Sequence, residues 1–284
     1  MWNDIKSCTR FYFSNVNNNW YTNYIAKWCI DYALENIKKI EEEYGSDYTR
    51  IMHKVKLSTS EMSQWKAVAD QMYFPFDNER NIYLQQDGFL DKELITVSDL
   101  PNAERPINQN WSWDRILRSP YIKQADILQG FYFFEDHFSL EQLEKHFDFY
   151  EPFTVHESSL SPCVHAIIAA KLGRMDQAYA FYLQTARLDL DDYNKEVEEG
   201  LHITSMAGTW MSVVEGFGGM RIQNDTLSFE PQIPKAWDGY SFKINFRDQI
   251  VKATITQQGA HFELDKGQDM EIKVNGVLQK ISSN

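Results

Sequence analysis

The stretch Gly216-Phe217-Gly218-Gly219 marks the place where the hydrophobic pattern of this 284-residue chain changes. Before it, apolar residues recur at helical spacing, in a stripe that begins at Trp20 and includes Trp28. After it, apolar and polar residues alternate along Ser241–Phe246 and Val251–Thr256, which is typical of strands with one buried face. Helices followed by strands predict a mainly α chain with a C-terminal antiparallel β-module, in two domains that meet near residue 216.

Capping residues and prolines locate individual helices. Ser58–Glu61 and Ser139–Gln142 are capping-box sequences, which predict helix starts. Ser119-Pro120 and Ser161-Pro162 predict two more, because proline is favoured at the first helical position. Residues 75–113 show little periodicity, and loops of this length in compact domains are often functional. Two turn dipeptides separate strand-like runs of the β-module: Asn224-Asp225 and Asn275-Gly276.

The composition argues against several classes of function. The formal net charge is -13, which disfavours nucleic acid, whose phosphates need clustered Lys and Arg, and anionic membrane surfaces. Met1–Arg10 lacks the apolar core of a signal peptide, and no apolar run reaches the 18 residues of a membrane span. The three cysteines do not form a disulfide framework, and Cys163-Val164-His165 lacks the ligand spacing of a zinc site. We therefore expect a cytoplasmic protein with reduced thiols and no metal.

Three stretches combine side chains that hold sugars and anions, namely Tyr121–Asp126, Val155–Ser161 and Gly200–Trp210. They place a lysine, amides, two histidines and several hydroxyls near the ends of apolar helical segments. Lys123 offers three donors and Gln124 a donor and an acceptor, which suits sugar hydroxyls. A solvated helix surface is the alternative interpretation of the same pair.

The third stretch also has the pattern of an anion site. His202 is followed by Thr204, Ser205 and Gly208 at the start of a predicted helix. Backbone N–H groups at a helix N-terminus, together with hydroxyls, bind phosphate, and a glycine allows close approach of the backbone. A buried core histidine and an ordinary helix cap are the alternative interpretation.

The second stretch gives a weaker signal. His156 and Glu157 place an imidazole beside a carboxylate, which suits acid–base chemistry but also suits a polar cluster at a helix entry. Ser158 and Ser159 lack the Gly-x-Ser-x-Gly elbow of a serine hydrolase. The three stretches together therefore indicate a site for a sugar and an anion, without a nucleophile.

Several long segments, in the same order, resemble glycoside hydrolase family 65 and, within it, the maltose phosphorylases. The resemblance runs from about Asn15 to the C-terminus. The segments that carry it are Val16–Asn23, Arg105–Arg115, Lys123–Asp126 and Gly200–Trp210.

The resemblance implies a fold. Family members have an N-terminal β-sandwich, an (α/α)6 barrel that holds the active site, and a small C-terminal β-module. This chain would supply the second half of the barrel over residues 15–215 and a small antiparallel β-sandwich over residues 216–284. Residues 1–14 diverge from the family, and we hypothesise that they are read out of frame in a truncated gene.

The resemblance also implies a reaction, the inverting phosphorolysis of an α-glucosidic disaccharide such as maltose to β-glucose 1-phosphate and glucose. A general acid protonates the leaving oxygen while phosphate attacks the anomeric carbon from the opposite face. Inverting hydrolases need a second carboxylate to activate water, whereas phosphate is already anionic. Phosphate is the co-substrate, and no cofactor is implied. By the resemblance, Lys123 and Gln124 hold the reacting glucose. The residues implied to hold phosphate are His202, Thr204, Ser205, Gly208 and Ser159.

The chain departs from the family at the general acid. The family's acid is the Glu of a Gly-Pro-(Asn/Asp)-Glu-Tyr motif, and the matching position here is Phe11, which has no proton to give. General acid catalysis contributes about a hundred- to ten-thousandfold. We therefore expect this chain alone to be a truncated, inactive fragment.

A half-barrel exposes helix faces that are buried in the whole barrel, and large exposed apolar patches indicate a partner or aggregation. We expect a homodimer or a complementary N-terminal fragment. A non-catalytic protein that binds sugar or phosphate, and a fragment of a trehalose or kojibiose phosphorylase, are the alternatives.

Overall fold

The structure is a computed structural model that describes residues 16–282. Helices dominate up to residue 217 and strands follow, which confirms the predicted order. The α-helices are α1 Trp20–Glu43, α2 Gly45–Val55, α3 Thr59–Asp70, α4 Ile107–Asn110, α5 Trp113–Arg118, α6 Ile127–Phe133, α7 Leu140–Tyr150, α8 Pro162–Lys171, α9 Met175–Ala186 and α10 Ile203–Met211. A π-helical turn, Ser212–Phe217, continues α10.

Side-chain caps begin several helices as the sequence predicts. Ser139 and Gln142 form a reciprocal capping box, in which each side chain accepts the backbone N–H of the other. The Ser58 hydroxyl accepts the N–H of Glu61 at the start of α3. The side chain of Asn19 caps α1 by accepting the N–H of Thr22. Each cap satisfies one of the backbone donors that a helix leaves unpaired at its first turn.

One predicted helix start is wrong. The chain is not helical at Pro120, and α6 begins only at Ile127. The reason is a tertiary contact: Ile122 forms a parallel bridge with Thr154, which holds this part of the chain extended. Lys123 and Gln124 therefore lie on a bend that follows the bridge and not on a helix surface.

The described chain divides into two compact units. The first comprises residues up to Tyr121 together with Gln129–Phe149. Its core is aromatic, because the fully buried ring of Trp20 stacks on Tyr24 and Phe131. Gly130 is required beside this ring, since a Cβ there would lie 2.5 Å from the Trp20 indole.

The second unit comprises Ile122–Leu128 and the chain from Tyr150 onward. Within it α8 is buried along almost its whole length and packs against α9, α10 and the π-helical turn. This unit also contains the β-module, so the domain boundary near residue 216 stays a prediction.

The β-module has two sheets. Its strands are β3 Arg221–Gln223, β4 Thr226–Phe229, β5 Gly239–Phe246, β6 Gln249–Thr256, β7 Gly259–Lys266, β8 Met270–Val274 and β9 Val277–Ile281. The strands of the β-module are numbered from β3, because a short hairpin of β1 Phe76–Asp77 and β2 Ile82–Tyr83 comes earlier in the chain, in the first unit. The strand orders are β5-β6-β7 and β3-β4-β8-β9. The second sheet is mixed, because β4 pairs with β8 in parallel.

The predicted alternation in the β-module is confirmed. Val251, Ala253 and Ile255 on β6 are buried, and the residues between them are half-exposed. Both predicted turn dipeptides connect antiparallel strands with positive φ at both positions, Asn224-Asp225 at 48° and 63° and Asn275-Gly276 at 46° and 82°. Such turns match the twist of the strands that they join. The buried side chains of both sheets form one apolar core.

Candidate functional site

Apart from Tyr121, which belongs to the first unit, the three predicted stretches lie in the second unit. The backbone of Ile122 joins the first stretch to the second, because its N–H donates to Phe153 O at 2.9 Å and its carbonyl accepts the N–H of Val155 at 2.9 Å. These two bonds hold the segments side by side and parallel. Lys123 and Gln124 follow directly and are half-buried.

A series of side-chain hydrogen bonds connects the three stretches. The Ser158 hydroxyl donates to Gln124 Oε1 at 3.0 Å, which joins the first stretch to the second. The neighbouring hydroxyl of Ser159 lies 2.7 Å from Thr204 Oγ1, which joins the second stretch to the third. The structure thus brings an amide and three hydroxyls together from segments that are distant in sequence. Hydroxyls and amides both donate and accept, as sugar and phosphate recognition requires.

His202 lies at the N-terminus of α10, two residues before Thr204, and Asp189 holds it at two points. Its backbone N–H donates to Asp189 Oδ2 at 2.9 Å, and its Nδ1 lies 2.6 Å from Asp189 Oδ1. The backbone N–H of His202, and after it the ring, hold the pKa of the Asp189 carboxyl below its usual range. A second carboxylate, Glu196, has its Oε2 3.8 Å from His202 Nε2.

Sequence reasoning missed Asp189 and Glu196. Asp189 lies 13 residues before His202, and no local pattern connects a carboxylate to an imidazole at that spacing. Both acids belong to a segment rich in Asp and Glu, which sequence alone presents as solvated charge. The contact depends on how the chain from α9 returns to the start of α10.

Ser205 and Gly208, two of the predicted phosphate contacts, are buried in packing. The Ser205 hydroxyl donates to the carbonyl of Thr185. A Cβ at Gly208 would lie 2.8 Å from Cys163 Cβ and 3.2 Å from Thr185 Cγ2. Both positions therefore bring α10 close to α8 and α9. That Ser205 and Gly208 contact phosphate stays a prediction. In the structure, the contact between helices accounts for both residues.

The histidine of the second stretch, His156, belongs to a buried pair with His165 of α8. His156 has a positive φ of 55°, and its Nδ1 lies 2.8 Å from the buried Ser161 hydroxyl. Its ring meets that of His165 edge-on with centroids 4.5 Å apart. Burial lowers the pKa of His165 to about 4. Glu157, which follows His156 in the chain, is 3% exposed. This cluster fits the structural interpretation of His156 and Glu157 better than acid–base exchange with solvent.

Two further sequence candidates belong to the first unit or lie outside the described residues. Trp111, in the segment Arg105–Arg115 that carries the family resemblance, is covered by the Arg115 guanidinium 3.5 Å from its ring centroid. Its indole N–H donates to Glu104 Oε2 at 2.7 Å. Phe11, at the position of the family's general acid, lies outside residues 16–282.

The first unit has a surface cleft of about 290 Å³ that the sequence did not indicate. It runs along α1, where the exposed rings of Trp28 and Tyr32 stack with centroids 5.1 Å apart. Its other lining residues are Tyr24, Lys27, Asp31, Glu35 and His137. Lys27 pairs with Asp31 at 2.5 Å, and Tyr24 OH lies 2.8 Å from His137 Nδ1. No residue predicted for sugar or phosphate binding lines this cleft.

Residues 16–282 contain neither a candidate metal-binding cluster nor a candidate membrane-spanning helix. No group of three or more His, Cys, Asp and Glu side chains in this range is placed to hold a metal ion. In the same range, no helix has both the length and the apolar character needed to cross a membrane.

Comparison with known proteins gives consistent matches. The maltose phosphorylase of Bacillus subtilis (strain 168) is 51% identical over 263 residues, which are 93% of this chain and 34% of that protein. The alpha,alpha-trehalose phosphorylase of Thermoanaerobacter brockii is 41% identical over 92% of this chain and 34% of its own length. A solved structure assigned as a kojibiose phosphorylase from the human microbiome superposes with a TM-score of 0.86 at 36% identity, over 94% of this chain and 37% of that one. The chain thus spans about a third of the length of these relatives.

Two family profiles cover most of the sequence. Residues 10–211 match the glycosyl hydrolase family 65 central catalytic domain, and residues 220–278 match the glycosyl hydrolase family 65 C-terminal domain. Together with the mainly helical fold and its C-terminal β-module, they confirm the fold class and the resemblance inferred from sequence. The chain belongs to glycoside hydrolase family 65.

Proposed function

We propose that this chain carries the glucose- and phosphate-contacting part of an inverting disaccharide phosphorylase of the maltose phosphorylase type. In that reaction phosphate attacks the anomeric carbon and the second glucose leaves, giving β-glucose 1-phosphate. Lys123 and Gln124 contact the reacting glucose, while His202, Thr204 and Ser159 contact phosphate. The similarity to the Bacillus subtilis maltose phosphorylase supports this substrate class.

The hydrogen-bonded series from Gln124 through Ser158 and Ser159 to Thr204 is the observation that carries the proposal. It joins residues proposed for the sugar to residues proposed for the anion within one unit. The series ends two residues from His202, a donor at a helix N-terminus, where the helix dipole favours an anion. The formal charge of the whole chain is -13, so local donors and not net charge must attract phosphate.

We further propose that this chain alone binds without turnover. The acid position is Phe11, so the leaving oxygen has no proton donor from that residue. The remaining residues of the site come from a complementary N-terminal fragment or a second subunit, in the cytoplasm. The exposure of Leu201 at 72% and Ile203 at 73%, beside His202, supports a partner surface there.

Calorimetry on the purified chain with glucose, and separately with inorganic phosphate, tests this function. We expect binding of both ligands, and about tenfold weaker glucose binding in Gln124→Ala. Gln279→Ala is the matched control, because Gln279 is exposed on β9 in the β-module. Failure of either ligand to bind would overturn the proposal.

A phosphorolysis assay with maltose and phosphate separates the two candidate functions. Binding without release of β-glucose 1-phosphate agrees with our proposal and with a non-catalytic sugar- and phosphate-binding protein. Restored turnover on adding the complementary N-terminal part of a relative favours the enzyme fragment. Running the assay with trehalose and kojibiose in place of maltose tests the other specificities found among the relatives.

A further inference from the structure

Asp189 contacts His202 through both of its carboxylate oxygens. One carboxylate oxygen accepts the His202 backbone N–H at 2.9 Å, and the other lies 2.6 Å from Nδ1 of the ring. The two side chains are only 16% and 20% exposed. One carboxylate thus fixes both the start of α10 and the rotation of the imidazole.

This arrangement gives the two ring nitrogens of His202 different hydrogen-bonding roles. With Nδ1 beside a carboxylate, the proton on Nδ1 is held there, and Nε2 faces away from Asp189. Hydrogen bonding at one ring nitrogen determines what the other offers to a ligand. Nε2 is therefore the nitrogen available to a ligand, and it donates to a phosphate oxygen when the ring carries its second proton.

Glu196 occupies the other side of the ring in a looser way. Its Oε2 is 3.8 Å from Nε2, beyond hydrogen-bond distance, and its side chain is 18% exposed. Thr204, two residues after His202, and its hydrogen-bonding partner Ser159 carry no charge, and α10 contains no charged residue. Glu196 thus places an anionic oxygen near the position at which phosphate would meet Nε2.

We propose that Asp189 is a positioning residue that aims Nε2 of His202 at phosphate, and that Glu196 is a counter-ion that phosphate displaces. This inference rests on the proposed function, in which His202 contacts phosphate. It predicts that loss of the Asp189 charge weakens phosphate binding and that loss of the Glu196 charge strengthens it, although both carboxylates lie beside the same ring.

The test measures inorganic phosphate binding by calorimetry on the full chain and its variants. Asp189→Asn keeps the size of the side chain, but its amide offers one acceptor where His202 presents two donors. We expect about tenfold to a hundredfold weaker phosphate binding, which is typical of a lost charge-assisted hydrogen bond. Glu196→Gln removes a negative charge beside the ligand, and we expect about two- to fivefold tighter binding.

Asp191→Asn is the matched control. Asp191 lies two residues from Asp189, is exposed and pairs with Arg187 at 2.6 Å, so its loss leaves the His202 contacts intact. We expect unchanged phosphate binding in this variant. Thermal melts establish that each variant is folded, and Glu196→Gln tests the second half of the proposal if Asp189→Asn does not fold.

A second readout separates this inference from the function on which it rests. Long-range ¹⁵N–¹H NMR reports which ring nitrogen of His202 carries the proton, with or without phosphate. We expect Nδ1 to carry a proton in the unmodified chain, with Nε2 protonated as well when phosphate is bound, and a mixture of the two neutral tautomers in Asp189→Asn. If the unmodified chain binds no phosphate, the proposed function fails, and an unchanged tautomer in Asp189→Asn overturns the positioning role. Weaker phosphate binding in Glu196→Gln would overturn the displacement role.

Discussion

Helices α8 and α10 pack against each other in the second unit, yet they differ in how much of their surface is exposed to solvent. Nine of the ten residues of α8 are buried, and its pattern is apolar all round. In α10 only Ser205 and Gly208 are buried, whereas Ile203, Met206 and Trp210 are exposed. The comparison shows that α8 belongs to the core and that α10 packs against it through its small residues. The polar start of α10 remains accessible to a ligand.

Matched isoleucine truncations give the largest expected difference between the two helices. Ile167 on α8 is 1% exposed and Ile203 on α10 is 73% exposed. We expect Ile167→Ala to lower the free energy of unfolding by about 2–5 kcal/mol, because it leaves a cavity. Ile203→Ala should change it by less than about 0.5 kcal/mol. Urea unfolding measures both, and equal losses would show that the exposed face of α10 is buried in solution.

Buried histidines give the next effect, through the dependence of stability on pH. Burial lowers the pKa of His165 on α8 and of His146 on α7 to about 4 each, from 6.5. The unfolded chain therefore takes up protons below pH 6.5 that the folded protein does not accept until about pH 4. Stability is full above pH 6.5 and falls as the pH drops towards 4.

At pH 5 each of these histidines should cost about 2 kcal/mol of stability relative to pH 7. His165→Gln should remove about half of the loss, and His146→Gln the other half. Unfolding titrations at pH 7 and pH 5 measure it. A stability that stays constant between these values would contradict the buried, neutral state of both rings.

The close approach of α8 and α10 is the third test. A valine at Gly208 would place its Cβ 2.8 Å from that of Cys163, and overpacking of this kind costs about 1–3 kcal/mol. Gly45→Val is the control, because no heavy atom lies within 4 Å of a Cβ there. We expect a lower melting temperature for Gly208→Val alone. An equal effect at both positions would assign the loss to valine in a helix and not to packing on Cys163.

The hydroxyl pair at the open end of α10 gives the smallest effect on stability. Ser159→Ala and Thr204→Ala each break an exposed contact of 2.7 Å and should change the free energy of unfolding by less than about 0.5 kcal/mol. Phosphate binding should weaken several-fold in both variants. Ser63→Ala, on the exposed face of α3, is the control for calorimetry. A loss of stability without a change in binding would make the pair structural.

The sequence predicted the β-module well because the signals there are local. Alternation along β6 and turn dipeptides with positive φ depend on neighbouring residues alone. The helix start at Pro120 failed because a bridge between Ile122 and Thr154, 32 positions apart, overrides the local preference. The same bridge places Lys123 and Gln124 beside the second stretch.

The sequence by itself determined the family, the order of helices and strands, and the three stretches with their hydroxyls, amides and histidines. These follow from local periodicity and from the identity of consecutive residues. Only the tertiary structure decided which of these groups meet: Gln124 with Ser158, Ser159 with Thr204, and Asp189 with His202. It also placed Ser205 and Gly208 in the contact between helices. The physical reason is that a hydrogen bond or a close contact depends on distance in space, which separation along the chain does not specify.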